Sequence, residues 1–343
     1  MEEPIEADKI KPKRKLTIVR LLFGGFFLWL ILRSFFFQVM YIPSSSMRGT
    51  LHEGDYILVN KLAFGSRMPM TLFSLPFSGS ETYLDWVIFG YHRAPGYSGV
   101  KRNDVLVFNL PGSNSLPIDI RKPFIKRCMA LPGDTLEIKN GIIFINSKQT
   151  TGPQWIQQRY FIELKSGTDG EELIKRFEIQ KAAPSADKIH YVIFATTYQL
   201  NQLRASGKLA VFSADHIDKK AYTNSLFPHD PNFKWNADFY GPLCIPQKGK
   251  PVQLNSKNIS LYRSVIVDYE KNKLELKRDS VFINSEYAPS YTFKQDYFFV
   301  LGDNRYDSED SRYWGFVPES HIIGKASMLL ASSGPSRNFS LIH

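Results

Sequence analysis

The chain is 343 residues long, 43% hydrophobic and 22% charged, which excludes wholesale disorder and leaves room for one large domain or two ordinary ones. Its net charge of +10 is scattered, and no helix-turn-helix or zinc-finger spacing accompanies it. The reading is therefore a solvated surface with some attraction for anionic lipid headgroups, and no nucleic-acid partner.

Lys9, Lys11, Lys13, Arg14 and Lys15 precede an apolar segment from Ile18 to Phe37, which as a helix spans about 30 Å, the thickness of a bilayer core. Arg20 and Arg33 lie near its two ends, where long basic side chains snorkel to the interface. The basic flank puts the N-terminus in the cytoplasm and everything beyond residue 38 across the membrane. A cleaved signal peptide would begin similarly, but Phe35-Phe36-Phe37 stand where a small-residue cleavage site is needed, which favours a retained anchor.

Ile42-Pro43-Ser44-Ser45-Ser46-Met47 follows at once. An extended chain covers about 3.3–3.6 Å per residue, so a serine nucleophile at Ser46 stays within roughly 30 Å of the membrane surface. A Gly54-Asp55 turn then opens a β-prone run, and Asp104 to Asn109 repeats that pattern. Phe124 to Ala130, a Leu131-Pro132-Gly133-Asp134 turn, Thr135 to Lys139, an Asn140-Gly141 turn and Ile142 to Asn146 read as consecutive strands with hairpin chemistry. An aromatic content of 14% agrees with much β-structure.

From 150 to 250 the pattern changes. Thr168 to Glu171 reads as a capping box opening an amphipathic helix through Lys181, and a second short helix runs from Thr197 to a stop at Gly207. Tyr191 to Ala195 and Leu209 to Ser213 read as strands between and after them. Strand patterning returns at Leu274–Leu276, Val281–Ile283 and Tyr297–Leu301. The predicted organisation is a basic tail (1–17), a transmembrane helix (18–37), a first part of a β-domain (38–149), an α/β insertion (150–250) and a second part of the β-domain (251–343).

The chemistry is narrowed by what is missing. There is no G-x-S-x-G elbow, no Walker loop, no H-E-x-x-H and no Cys/His cluster, so neither a metal nor a cofactor is expected. The histidines form no pattern, and His52 reads as structural. Cys128 and Cys244 are too few for a disulfide scaffold, and their pairing is left open. What remains is a lysine base. Lys126 sits in an apolar strand and shares a face with Phe124 and Cys128. Bringing its pKa from about 10.4 to about 7.5 takes roughly 4 kcal/mol of differential destabilisation, after which a neutral amine could deprotonate Ser46. The charged block Gly302 to Gly315, between a buried-looking strand and Phe316-Val317-Pro318, reads as a rigid salt-bridged loop beside that site. Leu72–Phe77 and Trp86–Phe89 are either core strands or a surface dipping into the interface.

Four blocks in this order carry a resemblance: Pro43-Ser44-Ser45-Ser46-Met47 with Thr50-Leu51 and Gly54-Asp55; Asn103 to Phe108; Ile125-Lys126-Arg127 with Leu131 to Asp134; and Gly302-Asp303-Asn304-Arg305 through Ser308 and Asp310 to Pro318. The chain resembles the bacterial type I signal peptidases, the membrane-anchored Ser/Lys endopeptidases of family S26. That resemblance implies a mainly β fold: an antiparallel β-sheet catalytic domain with an α/β insertion, preceded by one N-terminal transmembrane helix. It implies Ser46 as nucleophile, Lys126 as general base, Ser308 orienting the lysine, and an oxyanion held by the Ser46 N–H and the Ser44 hydroxyl. Asp303, Asp310, Arg312 and Arg127 would hold the loop together, and Met40, Ile42, Met47, Val107, Phe124 and Ile125 would line pockets for small residues at −1 and −3. The implied partners are preproteins bearing signal peptides and the lipid bilayer, with a translocase as a further candidate. Implied too is a place in the cytoplasmic (inner) membrane, single-pass, with the catalytic domain on the extracytoplasmic side. The chain departs from the family at Ser45, where many members have glycine, and at Arg48, where proline is common. A maturation peptidase with few substrates and a catalytically silent signal-peptide-binding homologue are the rival readings.

Overall fold

A computed structural model of the chain describes residues 12–71, 88–112, 116–150, 152–179, 182–184, 186–333 and 338–342. The apolar segment forms helix α1 (Pro12–Ile31), and a π-helical turn (Leu32–Phe36) extends it. Pro12 suits a first helical turn, where its missing N–H is not needed. The stretch Thr17–Phe36, with a mean hydropathy of 1.8 and none of it buried, is long and apolar enough to cross a membrane. Phe37 does not close the helix as the composition suggested; it opens strand β1 (Phe37–Tyr41). Aromatic and β-branched residues serve both states, and pairing with β2 (Tyr56–Asn60), Phe37 opposite Asn60 and Tyr41 opposite Tyr56, decides for the strand.

β1 and β2 begin an antiparallel sheet that continues through the long strand Ile322–Ala331, β3 (Val105–Asn109), β4 (Pro123–Ala130), Tyr297–Leu301 and the short Val317–Pro318. Its order is not sequential, so residues distant in the chain lie side by side. Every residue of β3 and of Tyr297–Leu301 is buried, as apolar runs covered on both faces should be. β4 leads through the Leu131–Asp134 turn to β5 (Thr135–Lys139), and Asn140-Gly141 turns β5 into β6 (Ile142–Ile145). Asn140 and Gly141 have φ of 50° and 68°, the left-handed pair that a two-residue hairpin needs to match strand twist.

Residues 157–164, 182–184, 190–196 and 209–214 form a separate four-stranded sheet with its own apolar cluster, packed by Leu173 of α2 (Gly170–Arg176) and by Leu200 and Leu203 of α3 (Thr197–Ala205). Two details correct the sequence reading. The cap of α2 is Asp169 rather than Thr168: its carboxylate accepts from the N–H groups of Glu171 and Glu172. The helix stops at Arg176 rather than Lys181, because Glu178 takes a left-handed φ of 55°. Neighbouring Thr and Asp are both good caps, and the sequence does not say which one turns inward. Tyr240–Cys244 then pairs with β5. Cys128 is buried and Cys244 exposed, and both are free thiols. Residues 1–11, 72–87 and 180–181 lie outside the described set, and with them most of the basic tail and of the apolar stretches at 72–77 and 86–87; Ile88 and Phe89 are exposed.

Candidate active site

The chain leaves β1, passes Ile42, and turns through a 3₁₀ segment (Ser45–Met47) that carries Ser46. Met47 and Leu51 are fully buried and anchor this turn to an apolar cluster with Ile42, Val59, Val107 and Ile125. The turn is fixed from the other side by the loop after Tyr297–Leu301. The Asn304 N–H donates to the Ser46 carbonyl (3.1 Å), Asn304 Nδ2 to the Ser45 carbonyl (3.3 Å), and the Ser45 hydroxyl to Asp307 Oδ2 (2.6 Å). Serine at 45, one of the two departures noted in the sequence, thus gains a hydrogen bond that glycine could not make.

β4 delivers Lys126 to the same place, and its Nζ lies 2.6 Å from Ser46 Oγ. Lys126 is only 3% exposed and Ser46 8%. Burial brings the lysine down to about 8, against the opposing pull of Asp310, Asp303 and Glu309. From its ordinary 10.5 this corresponds to about 3 kcal/mol against the charged amine. A neutral amine in hydrogen-bond contact with a hydroxyl is the arrangement that can take its proton. No histidine lines this cleft among the described residues; His52 spends its backbone N–H on Asp55.

Two buried ion pairs hold the loop that faces the lysine. Arg127 grips Asp303 with both arms, Nε to Oδ1 at 2.8 Å and Nη2 to Oδ2 at 2.7 Å, with both side chains fully buried. Arg312 does the same to Asp310, at 2.9 and 2.8 Å. Fork-to-fork geometry fixes orientation as well as distance, which a lysine could not do. Asp310 also accepts from the Gly302 N–H (3.1 Å) and caps the one-turn helix Ser311–Trp314. Its bond to Arg312 and that amide hold its carboxyl below the usual range despite burial.

The sequence reading assigned no role to three residues that complete this frame. The Thr50 hydroxyl donates to Asp303 and accepts from Arg127 Nη2 (3.0 Å). Arg305, buried, donates to the Gly302 carbonyl (3.0 Å), and its own carbonyl accepts from Arg312 Nη2. Asp307 receives Ser45. All three stand within or next to the four blocks quoted above, which was the only signal available.

The cleft around Ser46 has a volume of about 560 Å³ and is lined by Ser44, Lys126, Phe124, Ile125, Ser308 and Tyr313 among others. Ser44 Oγ lies 3.5 Å from Ser46 Oγ. The Ser308 hydroxyl donates to the Glu309 carbonyl at 3.4 Å. Of the six pocket candidates, Phe124 and Ile125 line the cleft directly. Ile42, Met47 and Val107, with Met40 packed against them, form the buried layer that also includes Ile125.

The family profile described as signal peptidase, peptidase S26, matches residues 15–184 and 244–331. Signal peptidase I of Buchnera aphidicola subsp. Schizaphis graminum is 27% identical over 326 residues, covering 92% of this chain and 75% of the relative. Those of Aquifex aeolicus and Pseudomonas aeruginosa are each 24% identical, covering 88% and 89% of this chain and 79% and 68% of the relatives.

Proposed function

The chain belongs to the signal peptidase family S26, and on that footing we propose that it is a membrane-anchored serine endopeptidase that removes signal peptides from exported preproteins, with Ser46 as nucleophile and Lys126 as general base. The observation that carries this reading is the 2.6 Å contact between Ser46 Oγ and a lysine whose pKa burial brings to about 8.

An extended segment with small residues at −1 and −3 lies along Phe124 and Ile125, backed by the layer of Met40, Ile42, Met47 and Val107 beneath them. Lys126 Nζ takes the proton as Ser46 Oγ attacks the scissile carbonyl. The oxyanion is met by the Ser46 N–H and the Ser44 hydroxyl, donors that need not reorganise as charge develops. The lysine returns its proton to the leaving amine, and water then releases the acyl group. Ser308, whose hydroxyl donates to the Glu309 carbonyl, keeps a lone pair with which it would receive and orient the lysine in this scheme, while Asp303 with Arg127 and Asp310 with Arg312 keep the loop from drifting. The N-terminus lies in the cytoplasm and the catalytic mass on the extracytoplasmic side of the cytoplasmic membrane, as the basic flank of α1 favours.

The test is cleavage of a preprotein with an Ala-x-Ala site by the full chain in detergent. Wild type should cut after the last small residue, whereas Ser46→Ala and Lys126→Ala should lose about 10³-fold or more while staying folded. Binding without cutting would favour a silent signal-peptide-binding protein, and retained cutting by either variant would remove the dyad.

A further inference from the structure

A helix leaves its last carbonyls without internal partners, and beside a bilayer there is little water to take them. In the membrane helix the final internal bond runs from the Phe37 N–H to the Leu32 carbonyl, leaving the carbonyls of Arg33, Ser34, Phe35 and Phe36. Two residues from beyond β2 take all four. Lys61 Nζ donates to Arg33 (2.8 Å) and Ser34 (3.2 Å), the Ser66 hydroxyl donates to Phe35, and the Lys61 backbone N–H donates to Phe36 (2.9 Å).

A cation on the C-terminal carbonyls also complements the helix dipole. Burial, then the charges of Arg67 and Arg33, brings Lys61 down to about 8, so this amine is held in a place that does not favour its charge. Among the described residues it has no carboxylate partner; its contacts are the helix carbonyls. Lys61 directly follows Asn60, which pairs with Phe37, so adjacent residues fix the helix end and the start of β1. β1 then runs about 17 Å toward the Ser46 turn as a paired strand rather than as a tether.

We propose that Lys61 and Ser66 are positioning residues that weld the membrane helix to the catalytic sheet, setting the height of Ser46 above the bilayer and so selecting which small-residue site of a membrane-held preprotein is cut. This rests on the peptidase reading above. The weld makes no demand on a short soluble peptide, which finds the cleft without reference to the membrane.

The full chain is reconstituted in vesicles as wild type, Lys61→Met, Lys61→Arg and Lys61→Met with Ser66→Ala. Each is given a soluble Ala-x-Ala peptide and a membrane-inserted preprotein carrying two such sites a few residues apart. The Met variants should keep the wild-type rate on the peptide, lose about tenfold or more on the preprotein and spread cleavage over both sites, with Lys61→Arg restoring the choice. Spin labels on the exposed Cys244 and on Leu22→Cys should give a narrow distance distribution in wild type and a broad one in the double variant. Unchanged site choice, a parallel loss on both substrates, or an equally narrow distribution would each overturn the weld. Failure of wild type to cut even the peptide would instead sink the peptidase reading, and the label distances would still decide the weld.

Discussion

At the scale of single residues, the proposed general base is Lys126. An exposed lysine would be almost wholly charged at neutral pH and useless as a base, but burial in β4 brings this one to about 8. The base acts in its deprotonated form, so kcat/KM should be low below that value and rise as pH increases through about 8. A pH profile flat across that range, or one falling with pH, would mean that another group takes the proton. Lys126→Arg should abolish the reaction at every accessible pH, because a guanidinium stays charged. The sequence could place a lysine in an apolar strand; that its amine ends 2.6 Å from a serine many residues upstream follows only from how β4 and the Ser46 turn pack.

At the scale of elements, the Ser46 turn and the loop after Tyr297–Leu301 behave as one unit, joined by hydrogen bonds that run between them. Gly302 is the tightest point of this contact. A Cβ built there would lie 2.1 Å from Ser308 Oγ and 2.5 Å from the Ser46 carbonyl oxygen. Gly302→Ala should therefore displace Ser46 and cost on the order of 10²-fold in kcat, with secondary structure by circular dichroism unchanged. The Arg127–Asp303 pair offers a stability test of the same unit. Arg127→Met strands a buried carboxylate, and thermal denaturation should register a loss of about 3–5 kcal/mol. A loss below 1 kcal/mol would mean that the pair is not needed to hold the loop. Turn chemistry made the neighbouring strands partly legible beforehand: Asn140-Gly141 closes a hairpin as expected, whereas Leu131–Asp134 is a turn that hands the chain from the main sheet to another one, and so closes no hairpin. The cap and end of α2 were misread, because adjacent Thr and Asp compete for one role and the left-handed Glu178 leaves no mark in the sequence.

At the scale of the whole molecule, one apolar helix and a mainly β catalytic mass meet at a strand instead of at a flexible linker. The proposed orientation puts the N-terminus in the cytoplasm, so protease added outside right-side-out vesicles should digest the catalytic mass, and protease added to inverted vesicles should spare it. The opposite pattern would reverse the proposed orientation. The sequence by itself determined the apolar span, the strand-rich composition, the hairpin turns and the four blocks that carry the family resemblance, because these depend on local pattern: side-chain period, turn residues and runs of polarity. Tertiary structure alone decided that Phe37 is a strand residue, that Thr50, Arg305 and Asp307 complete the site's frame, and that Lys61 and Ser66 close the end of the membrane helix. Each of these depends on a partner outside the local window: the β1–β2 pairing brings Asn60, Lys61 and Ser66 to the helix end, and the packing of the loop after Tyr297–Leu301 against β4 and the Ser46 turn joins the parts of the site's frame.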